Sequence, residues 1–356
     1  MPWTKMCAQF EELGLTLLQA RQTWDWVYRQ GALSFEAMTN LPLAVRYRLE
    51  ELYSLERLPT FQEHLSCDGT RKWVFSLPGG SDAPTQLSSI PSAHTASIET
   101  VFIPEEKRAT VCLSSQVGCS LRCCFCRTGT RLFERNLTPH ELVSQVLHVK
   151  DKFADWPQHS KTRYLTHIVM MGMGEPLLNY EAVKEALALL LDPHGLAFSR
   201  HRITVSTSGI VPVLASLARD CRVPLTLSLH APSDTLRSQL MPVNDVYPLK
   251  ELMRAVHAYP QMSKTKYVTI AYVLLKGVND SQAEARALLS LLQGLPAKVN
   301  LLTFNAWKGA PFAPSSAGVC ATFSRILTQG GIDCFRRRTR GRDILAACGQ
   351  LRADTQ

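Results

Sequence analysis

The stretch "GCSLRCCFCRTGT", Gly118–Thr130, holds four cysteines within eight positions. Three of them, Cys119, Cys123 and Cys126, have the spacing Cys-x3-Cys-x2-Cys. Three thiolates on a short loop can hold three irons of a 4Fe–4S cluster, and the missing fourth protein ligand leaves one iron open to an exogenous ligand. A structural zinc wants a fourth Cys or His at short range. Cys124 serves poorly, because a residue adjacent to a ligand points away from its flanking partners. It reads as a bystander.

Downstream of this loop, short apolar runs alternate with helical patterns. The strand-like runs are "TVFIP", "ATVCLSS", "THIVMMGMGEP", "RITVSTSGI", "VPLTLSLHAP", "YVTIAYVLL" and "KVNLLTFNAW", with helix-like segments such as "NYEAVKEALALLL" and "SQAEARALLSLLQ" between most of them. That rhythm predicts an α/β fold on a parallel sheet, open or rolled into a partial or complete (β/α) barrel. Polar and Gly-rich strand tips build the active site in such folds. Here they are "GMGEP", "STSG", "SLHAP", "GVND" and "FNAW".

Upstream, residues 1–60 read as a small helical accessory domain. "LLQARQTWDWVYRQG" is an amphipathic run closed by Gly31, and "SFEAMTNLPLAVRYRLEELYSL" reads as a helix opening at a serine. Within residues 61–98, "FQEHLSCDGTRKWVFSLP" predicts a hairpin turning at Asp68-Gly69. The Gly-, Ser- and Pro-rich residues 79–98 that follow predict a linker or loop. The catalytic core is then residues 99–356.

The whole chain sets the bounds. It has 356 residues, 46% of them hydrophobic, enough for one large core and a small accessory domain. No run of eighteen apolar residues predicts a membrane span, and the start "MPWTKMCAQFEELG" lacks the apolar core of a signal peptide. A cytoplasmic protein is expected. Eleven cysteines in such a protein point to metal or redox chemistry rather than a disulfide framework. The net charge is +9, with residues 1–95 carrying eight Lys+Arg against ten Asp+Glu and the remainder thirty-one against twenty. A basic core fits a polyanionic partner such as RNA, or general solubility.

The cysteine spacing, Phe125 before the last cysteine, and "GMGEP" some fifty residues later resemble the radical S-adenosylmethionine (SAM) superfamily. The resemblance narrows. "VCLSSQVGCSLRCCFC", "MGMGEPLLNY", "ITVSTSGIVP", "LSLHAP", "NLLTFN" and "TRGRDILAACGQL" are together similar to the RlmN/Cfr family of radical SAM RNA adenine methyltransferases. The N-terminal "LGLTLLQARQTWDWVYRQG" and "FEAMTNLP" resemble that family's accessory domain. The stretch around residues 79–97 departs from the pattern by its length.

The resemblance implies one 4Fe–4S cluster on Cys119, Cys123 and Cys126, and two SAM molecules per turnover. SAM contacts would come from Gly174, Glu175, Ser206, Ser228, Leu229, His230 and Asn305. Cys348 would be methylated by the first SAM. Reductive cleavage of the second to methionine and a 5′-deoxyadenosyl radical would remove a hydrogen from that methyl group, and the resulting methylene radical would add to adenine. Glu99, in "SIETVFIP", matches the family's proton acceptor. Cys112 would resolve the protein–RNA adduct, leaving a Cys112–Cys348 disulfide for an external reductant. A flavodoxin- or ferredoxin-like protein would donate the electron.

The implied substrate is an adenosine of 23S rRNA, methylated at carbon 2, together with the adenosine next to the anticodon in a subset of tRNAs. The antibiotic-resistance branch methylates carbon 8 instead; the accessory domain and the "SSQVGC" context look more like the carbon-2 branch. Arg336, Arg337, Arg338, Arg340 and Arg342, just ahead of Cys348, would contact RNA phosphates or bases. Read alone, these residues say less. Cys112 would be a small buried hydrophobe, Cys348 a packed helix-end residue, Glu99 an exposed strand carboxylate and His230 a rim histidine. The arginines would be a solvated turn. A non-methylating radical SAM enzyme has no need of Cys112 and Cys348, and a non-enzymatic iron–sulfur RNA-binding protein has no need of the SAM contacts.

Overall fold

The computed structural model describes residues 1–77, 96–157, 163–260 and 268–353. Helices α1 (Trp3–Glu12) and α2 (Leu17–Asp25) open the chain. Thr16 caps α2: its side chain accepts from the Gln19 N–H, and the Gln19 side chain accepts from the Thr16 N–H. A single π-turn (Trp26–Gln30) follows and stops at Gly31, as the sequence predicts. Gly31 has φ 74°, and a Cβ there would stand 2.2 Å from the Trp156 ring, so glycine is required twice over. The next helix, α3 (Leu43–Leu52), starts nine residues later than the serine at 34 suggested. Pro42 has no N–H to donate and fits only at a helix start. Ahead of it, Phe35, Met38 and Leu41 are buried by successive turns rather than by a helix.

Strands β1 (Thr60–Leu65) and β2 (Arg71–Leu77) form the predicted hairpin. Strand β3 (Ala96–Glu105) then pairs antiparallel with β2, matching Ala96 with Leu77 and Ile98 with Phe75. Residues 96–98 are therefore strand, not linker: Ala96, Ser97 and Ile98 are buried and fully paired. Residues 79–95 lie outside the described residues. Strand β4 (Arg108–Cys112) completes an antiparallel meander.

Short strands β5 (Gln116–Val117) and β6 (Arg135–Asn136) pair at the two ends of the cysteine loop. Helix α4 (Pro139–Lys152) follows, with a Thr138/Glu141 capping box. The alternation then runs β7 (His167–Met170), α5 (Tyr180–Leu191), β8 (Ile203–Thr207), α6 (Val211–Asp220) and β9 (Leu225–Ser228). It continues through α7 (Asp234–Leu240), α8 (Val243–Val246), α9 (Leu249–His257), β10 (Val268–Leu274), α10 (Gln282–Leu291), β11 (Ala297–Thr303), α11 (Ala317–Gln329) and β12 (Asp333–Arg336).

The ten-stranded sheet has the order β1-β2-β3-β4-β7-β8-β9-β10-β11-β12. From β4 onward every pairing is parallel. The order is linear, with β1 and β12 at the edges, so the sheet is open rather than a closed barrel. The hairpin is thus an extension of the main sheet. All the parallel strands end on one side, which brings their polar tips together. The helical N-terminal region packs behind α4 and α5: Trp24 Nε1 donates to the His194 carbonyl at 3.1 Å, and Arg57 Nε pairs with Asp151 at 2.7 Å. Among the described residues, no helix is long and apolar enough to cross a membrane.

Candidate active site

The cysteine loop runs from β5 to β6 across the C-terminal ends of the parallel strands. Gly118 bends it at φ 74°; a Cβ there would stand 2.0 Å from the Leu132 carbonyl. The Cys126 N–H donates to the Cys123 carbonyl at 3.0 Å, which tightens the loop. Cys119, Cys123 and Cys126 line one cavity with Gly174, Glu175 and Cys348. Burial pushes the Cys119 thiol up to about 12, and pushes Cys123 well above the usual thiol value with help from the fields of Cys126 and Cys119. Burial thus disfavours their thiolate forms, and a bound cation would restore them. No three His, Cys, Asp or Glu side chains among the described residues converge as they would on one ion. A cubane differs, because each thiolate takes its own iron. Cys124 is held against helix α7. Its N–H donates to the Leu240 carbonyl at 3.1 Å, and its thiol faces the Gln239 and Leu240 carbonyls of α7.

"GMGEP" wraps over the strand tip beside this loop. A Cβ on Gly172 would stand 2.7 Å from the Leu113 carbonyl, and one on Gly174, at φ 95°, would stand 2.5 Å from Gln116. Both glycines allow the motif to lie flat on residues 113–116. Glu175 is buried. Its carboxylate accepts from the Leu177 N–H at 3.1 Å and the Ser208 N–H at 2.8 Å. Burial raises its pKa against the pull of those N–H donors.

The neighbouring strand tips line an adjoining cavity, which shares Gly174, Glu175, Ser228 and Cys348 with the first. Ser206 of β8 and Ser228 of β9 face each other with hydroxyls 3.5 Å apart. His230 sits one residue beyond Leu229, at φ 62°. Its Nδ1 accepts from the Val273 N–H at 3.0 Å, and its ring lies edge-on to Phe125 at 4.8 Å. Burial, then the nearby Arg237 charge, lowers its pKa to about 3, so the imidazole is neutral with its proton on Nε2. Gly174, Glu175, Ser206, Ser228, His230 and Asn305 all line this cavity. Leu229 does not: its side chain is fully buried, and its N–H donates to the Ala271 carbonyl.

Cys348 lies between two parts of the cleft. It lines the cavity of the strand tips and also a second one containing Cys112, Asn305, Arg337, Arg338 and Arg340. Cys112, at the end of β4, has its thiol pushed up to about 12 by burial, with the field of Cys348 adding to it. Cys348 is accessible as a residue, but enclosure of its thiol raises the pKa. The Asn305 side chain donates to the Cys348 carbonyl at 3.3 Å. The Arg127 N–H donates to the Gly349 carbonyl at 2.8 Å, and the Thr128 hydroxyl donates to the Leu351 carbonyl at 2.6 Å. The C-terminal segment is thereby fastened to the cysteine loop.

Glu99 is buried, not exposed, on β3. One carboxylate oxygen pairs with Lys72 at 2.7 Å and the other accepts from the Arg352 N–H at 2.7 Å. It lies behind the C-terminal segment and does not line the two cavities around Cys348. Of the five arginines, Arg337 lines both cavities and Arg338 and Arg340 line that of Cys112. Arg336 is on β12, a strand hidden in sequence by the arginine run, and Arg342 lines neither cavity. Residues missed by sequence reading hold this turn in place. Asp68 accepts from the Gly341 N–H at 3.0 Å, and Asp343 accepts from the Ser66 hydroxyl at 2.6 Å. Asp68 was legible only as a turn former.

Residues 113–289 match the radical SAM superfamily, and residues 1–55 match the ribosomal RNA large subunit methyltransferase N-terminal domain. A dual-specificity RNA methyltransferase RlmN of Rhodospirillum rubrum is 45% identical over 99% of this chain and 79% of its own length. The chain belongs to the RlmN family. A second RlmN, from Rhodopseudomonas palustris, is 45% identical over 95% of this chain and 84% of its own length. The crystal structure of a radical SAM methyltransferase from Sphaerobacter thermophilus superposes with TM-score 0.87 at 40% identity, covering 99% of this chain and 98% of that one. As an RlmN-family chain this is a radical SAM methyltransferase, and membership implies a 4Fe–4S cluster and SAM. The RlmN-type N-terminal match coincides with the helices packed behind α4 and α5.

Proposed function

We propose that this chain methylates carbon 2 of an adenosine in 23S rRNA, and the adenosine next to the anticodon in a subset of tRNAs, with Cys348 as methyl carrier and Cys112 as resolving thiol. The observation that carries this reading is the shared cavity: Cys112 and Cys348 line one cleft, with Arg337 in its wall and the cysteine loop beside it. The names of the relatives support the RNA substrates.

Cys119, Cys123 and Cys126 would hold the cluster, and Gly174, Glu175, Ser206, Ser228, His230 and Asn305 would hold SAM, with Leu229 contributing backbone alone. When bound, cluster and SAM supply a methyl group and a one-electron route to removing a hydrogen from it. The chain's residues do the rest. Cys348 presents its sulfur as the carrier and becomes covalently joined to adenine through the transferred carbon. The one electron left on the adduct would return to the bound cluster, and Glu99 takes the adenine proton. For this the Arg352 N–H contact must open, because both carboxylate oxygens are engaged. Cys112 attacks the Cys348 sulfur; the carbon–sulfur bond breaks, its electron pair goes to the transferred carbon, and a proton completes the methyl group. The resulting Cys112–Cys348 disulfide requires an external reductant, and the electron comes from a flavodoxin- or ferredoxin-like donor. Arg336, Arg337, Arg338, Arg340 and Arg342 would meet RNA phosphates in the cytoplasm, and the target base must leave its stack to reach a sulfur in a cleft.

The test uses anaerobically reconstituted protein, SAM, a reductant, and rRNA and tRNA fragments in parallel. Nucleoside mass spectrometry against synthetic standards should find 2-methyladenosine in both. 8-Methyladenosine would move the chain to the resistance branch. Cleaved SAM without methylated adenosine would overturn the reading.

A further inference from the structure

Arg237, in α7, is fully buried. Its Nε donates to the Leu229 carbonyl at 3.1 Å, Nη1 to Asn244 Oδ1 at 2.9 Å, and Nη2 to the Ser208 carbonyl at 2.6 Å and the Ser228 carbonyl at 3.4 Å. Every one of these acceptors is neutral, and no carboxylate among the described residues pairs with the guanidinium. Asp234, whose field reaches the guanidinium, makes its hydrogen bonds elsewhere: it accepts from Asn244 Nδ2 at 3.0 Å and from the Leu249 N–H at 2.8 Å. A buried guanidinium without a counter-ion is costly, and such charges are normally paired.

Two features of its surroundings say what completes it. Arg237 grips the tips of β8 and β9, at Ser208, Ser228 and Leu229, next to the side chains that line the SAM cavity. Ser208 is held from both sides, its N–H by Glu175 and its carbonyl by Arg237. The same helix also docks the cysteine loop, through the Leu240 carbonyl and the Cys124 N–H. The field of Arg237 favours the Cys123 thiolate, against the opposing field of Glu175.

We propose that Arg237 is the built-in countercharge and positioning residue of the cofactor site: it raises the reduction potential of the bound cluster and holds the two strand tips at the spacing SAM requires. This rests on the reading of Cys119, Cys123 and Cys126 as cluster ligands. A cluster held by three thiolates is anionic, and adding an electron makes it more so. A fixed positive charge in a dry site therefore favours the reduced form. Lysine can keep the charge but not span three carbonyls and an amide, because only the guanidinium fork reaches them together.

The experiment compares wild type, Arg237→Lys and Arg237→Met as reconstituted holoproteins. It measures iron and sulfide content, far-ultraviolet circular dichroism, the cluster midpoint potential by electron paramagnetic resonance titration, and the SAM Kd. Arg237→Met should shift the midpoint negative and weaken SAM binding about tenfold, the scale of a lost charge-assisted hydrogen bond. Arg237→Lys should return the midpoint toward wild type while SAM binding stays weak. A folded Met variant that cannot retain the cluster would also support the countercharge. A wild-type midpoint and SAM Kd in the folded Met variant would overturn the proposal, as would loss of the fold in both variants, which would make the guanidinium a core residue only. Wild-type protein that takes up one zinc and no cluster would instead defeat the ligand reading itself.

Discussion

At the scale of single residues, the two thiols outside the loop carry the sharpest expectations. Cys348→Ala should abolish methylation while leaving iron content and SAM affinity at wild-type values, because the proposed methyl carrier is lost but the proposed cluster ligands are not. Methylation at the wild-type rate would remove the carrier role. Cys112→Ala should accumulate a covalent protein–RNA adduct, visible as a shifted band in denaturing gels; release of free methylated RNA at the normal rate would deny the resolving role. His230 sets a pH dependence. Its folded pKa of about 3 lies below the value of about 6.5 for a free imidazole. The neutral form is favoured in the fold, so this contribution to stability is complete above about pH 6.5 and is lost as the pH falls toward 3. His230→Gln should therefore flatten the fall of the thermal midpoint between about pH 6.5 and 4, measured by circular dichroism against wild type. An unchanged slope would mean that the buried ring does not govern acid stability.

At the scale of elements, the strand tips are held by close backbone contact more than by side chains. "GMGEP" lies against residues 113–116 because two of its positions have no Cβ. Gly172→Ala would drive a methyl group to 2.7 Å from the Leu113 carbonyl, a backbone atom of the strand exit that cannot turn aside. The motif must lift, carrying Glu175 with it. SAM affinity should fall by about tenfold or more, on the scale of an overpacking cost of 1–3 kcal/mol, and equilibrium dialysis would show it. Retention of wild-type affinity would mean that the tip tolerates displacement. The elements themselves were largely readable. The runs "RITVSTSGI" and "YVTIAYVLL" became β8 and β10, and Gly31 ended its helix as expected. The helix expected from Ser34 was not, because apolar spacing at Phe35, Met38 and Leu41 is equally served by turns, and Pro42 set the real start. Strand β12 escaped notice because three consecutive arginines mask a short, mostly exposed parallel edge.

At the scale of the whole molecule, segments distant in sequence build the arginine-lined wall proposed to meet RNA. The hairpin turn at Asp68 holds the arginine turn through the Gly341 N–H, and Ser66 holds Asp343. Asp68→Ala should loosen that turn, raise the Kd for the rRNA fragment several-fold and leave SAM binding unchanged, as read by filter binding and dialysis. Arg337→Ala should reduce the slope of log K against log salt by about 1 if it meets a phosphate. Equal slopes would place Arg337 away from the RNA backbone. What the sequence determined by itself was local: three thiols at fixed spacing, glycines where backbone must pass backbone, and an alternation of strands and helices whose period forces a parallel sheet. These depend on neighbours a few residues apart. The tertiary structure alone decided which distant groups meet. It put Cys348 in one cleft with Cys112, buried Glu99 between Lys72 and Arg352, left the sheet open, and gave Arg237 three strand-tip carbonyls but, among the described residues, no paired carboxylate. Burial and long-range pairing depend on how the strands order themselves in space, and no local pattern in the chain encodes that order.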